Sequence, residues 1–223
     1  MTLFGPLHLT LLAVIACIGI VLSVLLRRGS VAAAAVRLPI AYGLAVNELI
    51  WWIYRYSHEG FRFPLNLPLQ LCDVSLWVTV LACATLIRPA VEFCYFAGIA
   101  GAGMALLTPD LWSPWPTYPA IYFFVAHGGI VIGAAVLVFG GISPLRPHAM
   151  WRAFGLLVVY AAAVGAFNAI FKTNYMYLCK KPGNASVLDA LGPWPVYLVA
   201  GAAVGLGLFW LLAMAARLEP KPD

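Results

Sequence analysis

The chain has 223 residues, 64% of them hydrophobic and 9% charged, with a net charge of +5. A soluble domain carries about 25% charged residues, so this composition excludes a fold with a water-exposed surface and points to a bilayer as the solvent. The 13 Lys and Arg sit mostly at the ends of apolar runs, which suits anionic headgroups and does not suit nucleic acid.

Seven apolar stretches, each near the roughly 20 residues that a hydrocarbon core of about 30 Å requires, use nearly the whole chain. They predict an all-α bundle of seven transmembrane helices, a single domain over 1–223, multi-pass in the cell membrane. The first span, 7–26, is followed by Arg27 and Arg28 instead of being preceded by basic residues. That is the reverse of a cleavable signal peptide, so a retained first helix is expected. The second, 31–54, carries Asn47, Glu48 and the Trp51–Trp52 pair. The third, 68–87, opens at Pro68, where a missing N–H costs little, and holds Gln70, Cys72 and Asp73 in its first turns. The fourth, 91–108, is short, is interrupted by Gly98, Gly101 and Gly103, and closes at Thr108 and Asp110. The fifth, 118–140, places His127 roughly 13 Å from its start at 1.5 Å per residue. The sixth, 150–171, ends near Asn168 and Lys172, and the seventh is 195–216. Gly129/Gly133 and Gly201/Gly205 are small residues at i, i+4 spacing, which lets helices approach closely. No internal repeat suggests a transporter built from two matching halves.

Alternating the spans divides the basic residues. With the N-terminus outside, the cytoplasmic side receives Arg27, Arg28, Arg37, Arg88, Arg146, Arg152, Arg217 and Lys221. The outer side receives Arg55, Arg62, Lys172, Lys180 and Lys181. Eight against five favours N-out, C-in by the positive-inside rule. The five cysteines, at 17, 72, 83, 94 and 179, are odd in number and four lie in apolar runs, so no disulfide framework is expected.

Ionisable residues within a membrane are costly and mark function by default. On this topology His8, Asn47, Glu48, Gln70, Cys72, Asp73, Thr108, Asp110, His127, Asn168 and Lys172 all fall in the outer half, and no comparable cluster is expected in the inner half. A one-sided polar cavity follows, with the loops 109–118 and 175–194 as its lid. Cys72 and His127 are its sharpest pair: a thiol is a strong nucleophile and an imidazole can take its proton. Asp73 lies about 100° round the helix from Cys72 and suits orienting a histidine better than facing the thiol, a role also open to Glu48 or His8. Against this, a lone cysteine or histidine in an apolar helix is commonly a packing or hydrogen-bonded core residue. Cys17, Cys83 and Cys94 are read that way, Cys179 as incidental, and His58 and His148 as solvated. Trp51, Trp52, Trp112, Trp115 and Trp194 fit an interfacial belt, with an aromatic cage for a cationic headgroup as the alternative. A zinc site is the weaker chemistry, because only four histidines are present and none are paired on one helix.

Several stretches carry a resemblance: Leu67-Pro68-Leu69-Gln70-Leu71-Cys72-Asp73, Leu107-Thr108-Pro109-Asp110-Leu111, His127-Gly128, Asn174-Tyr175-Met176-Tyr177-Leu178 with Lys181-Pro182, and Leu188-Asp189-Ala190-Leu191-Gly192-Pro193-Trp194-Pro195. In this order the chain resembles the YwaF-like family of bacterial integral membrane proteins, which has eukaryotic transmembrane relatives. The resemblance implies acyl transfer or lipid-ester hydrolysis with a Cys or Thr nucleophile and a His, which falls on Cys72 and His127 here. A membrane lipid is then the expected substrate and no soluble cofactor is implied. Asn168 and Asn174 are candidate oxyanion donors by polarity and side, and Gln70, Thr108, Asp110, Tyr175 and Lys172 candidate substrate contacts. A carrier or receptor for a small polar solute, and a scaffold whose polar layer fixes helix register, are the competing classes. The oligomeric state is left open.

Overall fold

The computed structural model describes residues 1–111, 113–182 and 187–217. Trp112 and Lys221, assigned above to the belt and to the charge count, lie outside the described residues, as does part of the 175–194 loop. The described residues are helical or irregular, with no strand among them. Among the described residues seven helices make up the bundle: α1 (Pro6–Arg27), α2 (Ala33–Glu59), α3 (Leu71–Thr85), α4 (Arg88–Leu107), α5 (Tyr118–Val138), α6 (Ala149–Phe171) and α7 (Val196–Arg217). Six of them are long and apolar enough to cross a membrane; α3, with 15 residues, is shorter.

Helix α3 begins at Leu71 and not at Pro68. The Asp73 carboxylate accepts the Gln70 N–H at 3.1 Å, which caps the helix there. The extended stretch before it is satisfied by side chains: Leu67 N–H donates to the Tyr175 hydroxyl (2.9 Å), and Leu69 C=O accepts from the Tyr160 hydroxyl (3.1 Å). Non-helical backbone is tolerable at membrane depth only where protein supplies such partners. Within α4, Cys94–Gly98 form a buried π-helical turn.

Helix α5 is the centre of the bundle and packs on α1, α2, α3 and α4. Its glycines each admit a different neighbour. A Cβ on Gly128 would meet Ile15 of α1 at 2.9 Å, one on Gly129 would meet Leu44 of α2 at 2.5 Å, and one on Gly133 would meet Thr79 of α3 at 2.7 Å. The expected close approach at Gly129/Gly133 is therefore present. At the other pair it is not: Gly201 meets only Leu191, at 3.9 Å, and Gly205 faces open space.

The end of the bundle that holds Cys72 is called upper below. The lower end corrects the expectation that it lacks a polar cluster. Glu92, 2% exposed, receives two forks: Arg146 donates from Nε (2.8 Å) and Nη2 (3.0 Å), and Arg152 from Nε (2.9 Å) and Nη2 (2.7 Å). Other arginines there bond main-chain carbonyls. Arg27 reaches Phe139 O (2.5 Å), Arg88 reaches Pro144 O (2.7 Å), and Arg37 reaches Cys83 O (2.6 Å) and Ala84 O (2.8 Å) at the end of α3. These last two carbonyls have no continuing helical turn to pair with, and a cation at a helix C-terminus also opposes its negative pole.

Candidate functional site

A cavity of about 670 Å³ opens at the upper end. Its walls are the last turns of α2, the first turn of α3, the end of α4 and the upper half of α5, with Leu65 and Leu67 before α3 and Tyr175 and Tyr177 after α6 closing it. Cys72 and His127 both line it, as do Gln70, Asp73, Thr108, Asp110 and Tyr175. Its floor is buried Leu76 and Ile130.

Cys72 is half-buried on the first turn of α3, and His127 is buried on α5. His127 Nδ1 lies 2.7 Å from Phe123 O. A carbonyl can only accept, so Nδ1 carries the proton, and the neutral ring keeps its basic lone pair on Nε2. Asp73 spends its carboxylate on the Gln70 N–H, and the bonded partners of the histidines do not include it. Gln70 Oε1 in turn accepts the Met176 N–H at 2.9 Å. Thr108 bonds back to Met104 O on its own helix.

Other predicted residues are held away from the cavity. His8 is fully buried between α1 and α4: its Nδ1 accepts Phe4 N–H (3.0 Å), so its Nε2–H donates to Leu106 O (2.8 Å). Glu48 is buried beside the cavity wall, where it accepts from Trp52 Nε1 (2.8 Å) and from the Tyr122 hydroxyl (2.5 Å), and it does not orient His127. Asn168 folds the chain after α6, donating to Tyr175 O and accepting from Thr173 Oγ1 and Tyr175 N–H. Asn174 donates to Lys180 O and accepts from the Cys179 and Lys180 N–H groups. Each amide thus spends an N–H on a main-chain carbonyl, and neither residue lines the cavity. Lys172 is exposed and does not line this cavity. So α1 and α6 contribute no side chain to the cavity, contrary to a layer drawn from all six helices.

Several lining residues escaped the sequence. Along α2, Trp51, Tyr54 and His58 form a column that Tyr122 of α5 continues. His58 stacks on Tyr54 (ring centroids 4.1 Å), Tyr54 on Trp51 (5.8 Å) and Trp51 on Tyr122 (4.3 Å, 12° between planes). The signal was available in the spacing i, i+3, i+7, which puts three rings on one helix face. Arg55 and Glu59 join them on the rim. At the closing turn, Met176 and Tyr177 both have positive φ (56° and 53°), which is strained for side-chain-bearing residues. The Gln70 bond to Met176 N–H and a hydroxyl bond from Tyr197 to Tyr177 O hold that turn. Burial pushes the Tyr175 and Tyr177 phenols above their ordinary range, so both stay protonated at neutral pH.

Apolar helices around a one-sided polar cavity define a multi-pass membrane protein. Within that class, the chain belongs to the TMEM164 family, a family of transmembrane proteins whose model matches residues 3–213. No curated protein and no solved structure matches it.

Proposed function

We propose that this chain is a membrane-embedded lipid acyltransferase or lipid-ester hydrolase in which Cys72 is the nucleophile and His127 the base. The observation that carries this is the shared cavity: Cys72 and His127 both line it, and His127 has its Nδ1–H anchored on Phe123 O with Nε2 left as the basic nitrogen. His127 Nε2 takes the Cys72 proton as Sγ bonds to the carbonyl carbon of an acyl ester. The ester C–O bond then breaks, and the leaving alcohol receives that proton from His127. Water or a second alcohol, deprotonated by His127, attacks the thioester. The C–S bond breaks and the proton returns to Cys72. The apolar surroundings suit a membrane lipid as acyl donor, and kinship with YwaF-like proteins belongs to the same proposal.

The proposal includes seven crossings, N-terminus outside and C-terminus cytoplasmic. Helix α3, about 22 Å long at 1.5 Å per residue, completes its crossing with the side-chain-satisfied stretch that precedes it. A carrier is the less favoured reading, because Leu76 and Ile130 close the cavity floor and Lys172 stands outside it.

The test is incubation of purified protein in detergent with fluorescent-acyl glycerophospholipids, followed by mass spectrometry of the Cys72 peptide. An acyl thioester that disappears in Cys72→Ala and forms at least a hundredfold more slowly in His127→Gln is expected. Full turnover by Cys72→Ala on each lipid that the parent uses would end the proposal.

A further inference from the structure

A second cavity, of about 760 Å³, lies at the lower end, between the ends of α1, α5 and α7 and the start of α6. It is separated from the Cys72 cavity along α5: Ile130 at the floor of one and Val138 in the wall of the other are about 12 Å apart at 1.5 Å per residue. Arg27, Arg146, Arg217 and His148 line it, and among the described residues no Asp or Glu does. The nearby acid is already engaged, since Glu92 is shared by Arg146 and Arg152, two cations on one anion. Arg146 commits Nε and Nη2 to that fork, which does not use its Nη1 edge.

The main chain adds to this potential. Ala149, Met150 and Trp151, the opening residues of the 23-residue α6, line the cavity, and the first turn of α6 contains no acidic residue and no side-chain cap. The Ala149 and Trp151 N–H groups are bonded to Arg146 O and His148 O (3.1 Å each), so α6 adds the field of its positive pole to that of the arginines. The rest of the lining is apolar. Trp151 (56% exposed), Trp210 (56%) and Met214 (45%) carry it out to the flank of the bundle, where lipid chains would lie. Tryptophans at the mouth are suited to the headgroup level of a bilayer.

We infer that this cavity binds an anionic phospholipid. The phosphate sits among Arg146, Arg217, His148 and the start of α6, and an acyl chain lies against Trp151, Trp210 and Met214. A free phosphate ion would satisfy the first group and leave the second without a role, so the lipid is the occupant the lining favours. The site is independent of the chemistry proposed for Cys72. It links the loop before α6, α6 itself and α7 through one ligand, so occupancy should stabilise the bundle.

The experiment measures binding to the full chain in detergent by native mass spectrometry and thermal melting. The probes are palmitoyl-oleoyl phosphatidylglycerol, phosphatidylcholine with the same chains, and inorganic phosphate. Phosphatidylglycerol should bind one molecule more than phosphatidylcholine, for which the Cys72 cavity alone is open, and should raise the melting temperature by about 5 °C, which the other two should not. Arg217→Gln, an exposed position on the last described turn, should weaken that binding about fivefold, the effect of one interfacial charge. His148→Asn, which tolerates the positive φ of 62° at this position, should weaken it too. Lys172→Gln removes an equal charge at the opposite end and should change nothing. Equal binding of phosphatidylcholine, an equal shift from phosphate alone, or unchanged phosphatidylglycerol binding in Arg217→Gln and His148→Asn would overturn the inference.

Discussion

Replacing Glu92 by alanine removes the acceptor of four charge-assisted hydrogen bonds from a site that is 2% exposed. Breaking a buried ion pair from one side costs about 3–5 kcal/mol when the partner is left stranded. Here the side chains of Arg146 and Arg152 are 41% and 39% exposed and can turn to water, so the loss belongs at the lower end, about 3 kcal/mol. The cost arises from α4, whose second turn loses its ties to the loop before α6 and to α6 itself. For a chain of this size about 1 kcal/mol moves the melting temperature by about 2–4 °C, so Glu92→Ala should melt about 6–12 °C lower in a fixed detergent. Glu92→Gln keeps the volume but turns an NH2 group toward guanidinium donors, and it should fall between the parent and the alanine variant. Fluorescence-detected size exclusion after graded heating gives the readout. A Glu92→Ala variant melting within 1 °C of the parent would refute the view that this cluster holds the lower end together.

Gly133→Ala should lower stability by about 1–2 kcal/mol, because Thr79, the residue its Cβ would meet, is held by its own hydroxyl bond to Ser75 O. Gly205→Ala, into open space, should be neutral or gain up to about 1 kcal/mol from helix propensity; paired melting curves in one detergent decide both. Asn168→Ala removes three buried hydrogen bonds from the turn that carries Tyr175 and Tyr177, at about 2–4 kcal/mol. It should also speed the reaction of Cys72 with a bulky maleimide, and unchanged labelling would separate that turn from access to the cavity.

Depth in the bundle was legible from sequence, and rotation about each helix was not. Long apolar runs leave little ambiguity about where a helix passes, so α1, α5 and α6 fall within a few residues of their predicted spans. A polar residue near a helix end, however, reads the same whether it faces a cavity or a carbonyl. His8 and Asn168 are bonded to backbone, whereas Trp51, expected in the belt, and His58, expected in solvent, form a cavity wall with Tyr54. The Glu92 cluster joins residues 54 and 60 positions apart in the chain, and no local pattern announces it. The start of α3 departs from its expected place for a local reason: Pro68 is compatible with a helix start, but the Asp73 carboxylate caps the helix at Gln70.

That late start is what makes room for the cavity. Arg37 of α2 bonds Cys83 O of α3, which sets the level of the two antiparallel helices. Moving eleven residues up each from there brings Glu48 opposite Cys72. Helix α2 continues another eleven residues, about 16 Å at 1.5 Å per residue, to Glu59, while α3 has already ended. The space that three further turns of α3 would fill is bounded by Trp51, Tyr54, Arg55 and His58 and opens directly above Cys72. A helix cut short within a membrane protein leaves main-chain groups at both ends that water reaches poorly. Here Arg37 answers the carbonyls below, and Asp73, Tyr160 and Tyr175 answer the backbone above. The shortness of α3, its satisfied ends and the recess over Cys72 are therefore one feature: remove the partners and the helix has reason to lengthen into the space the candidate site occupies.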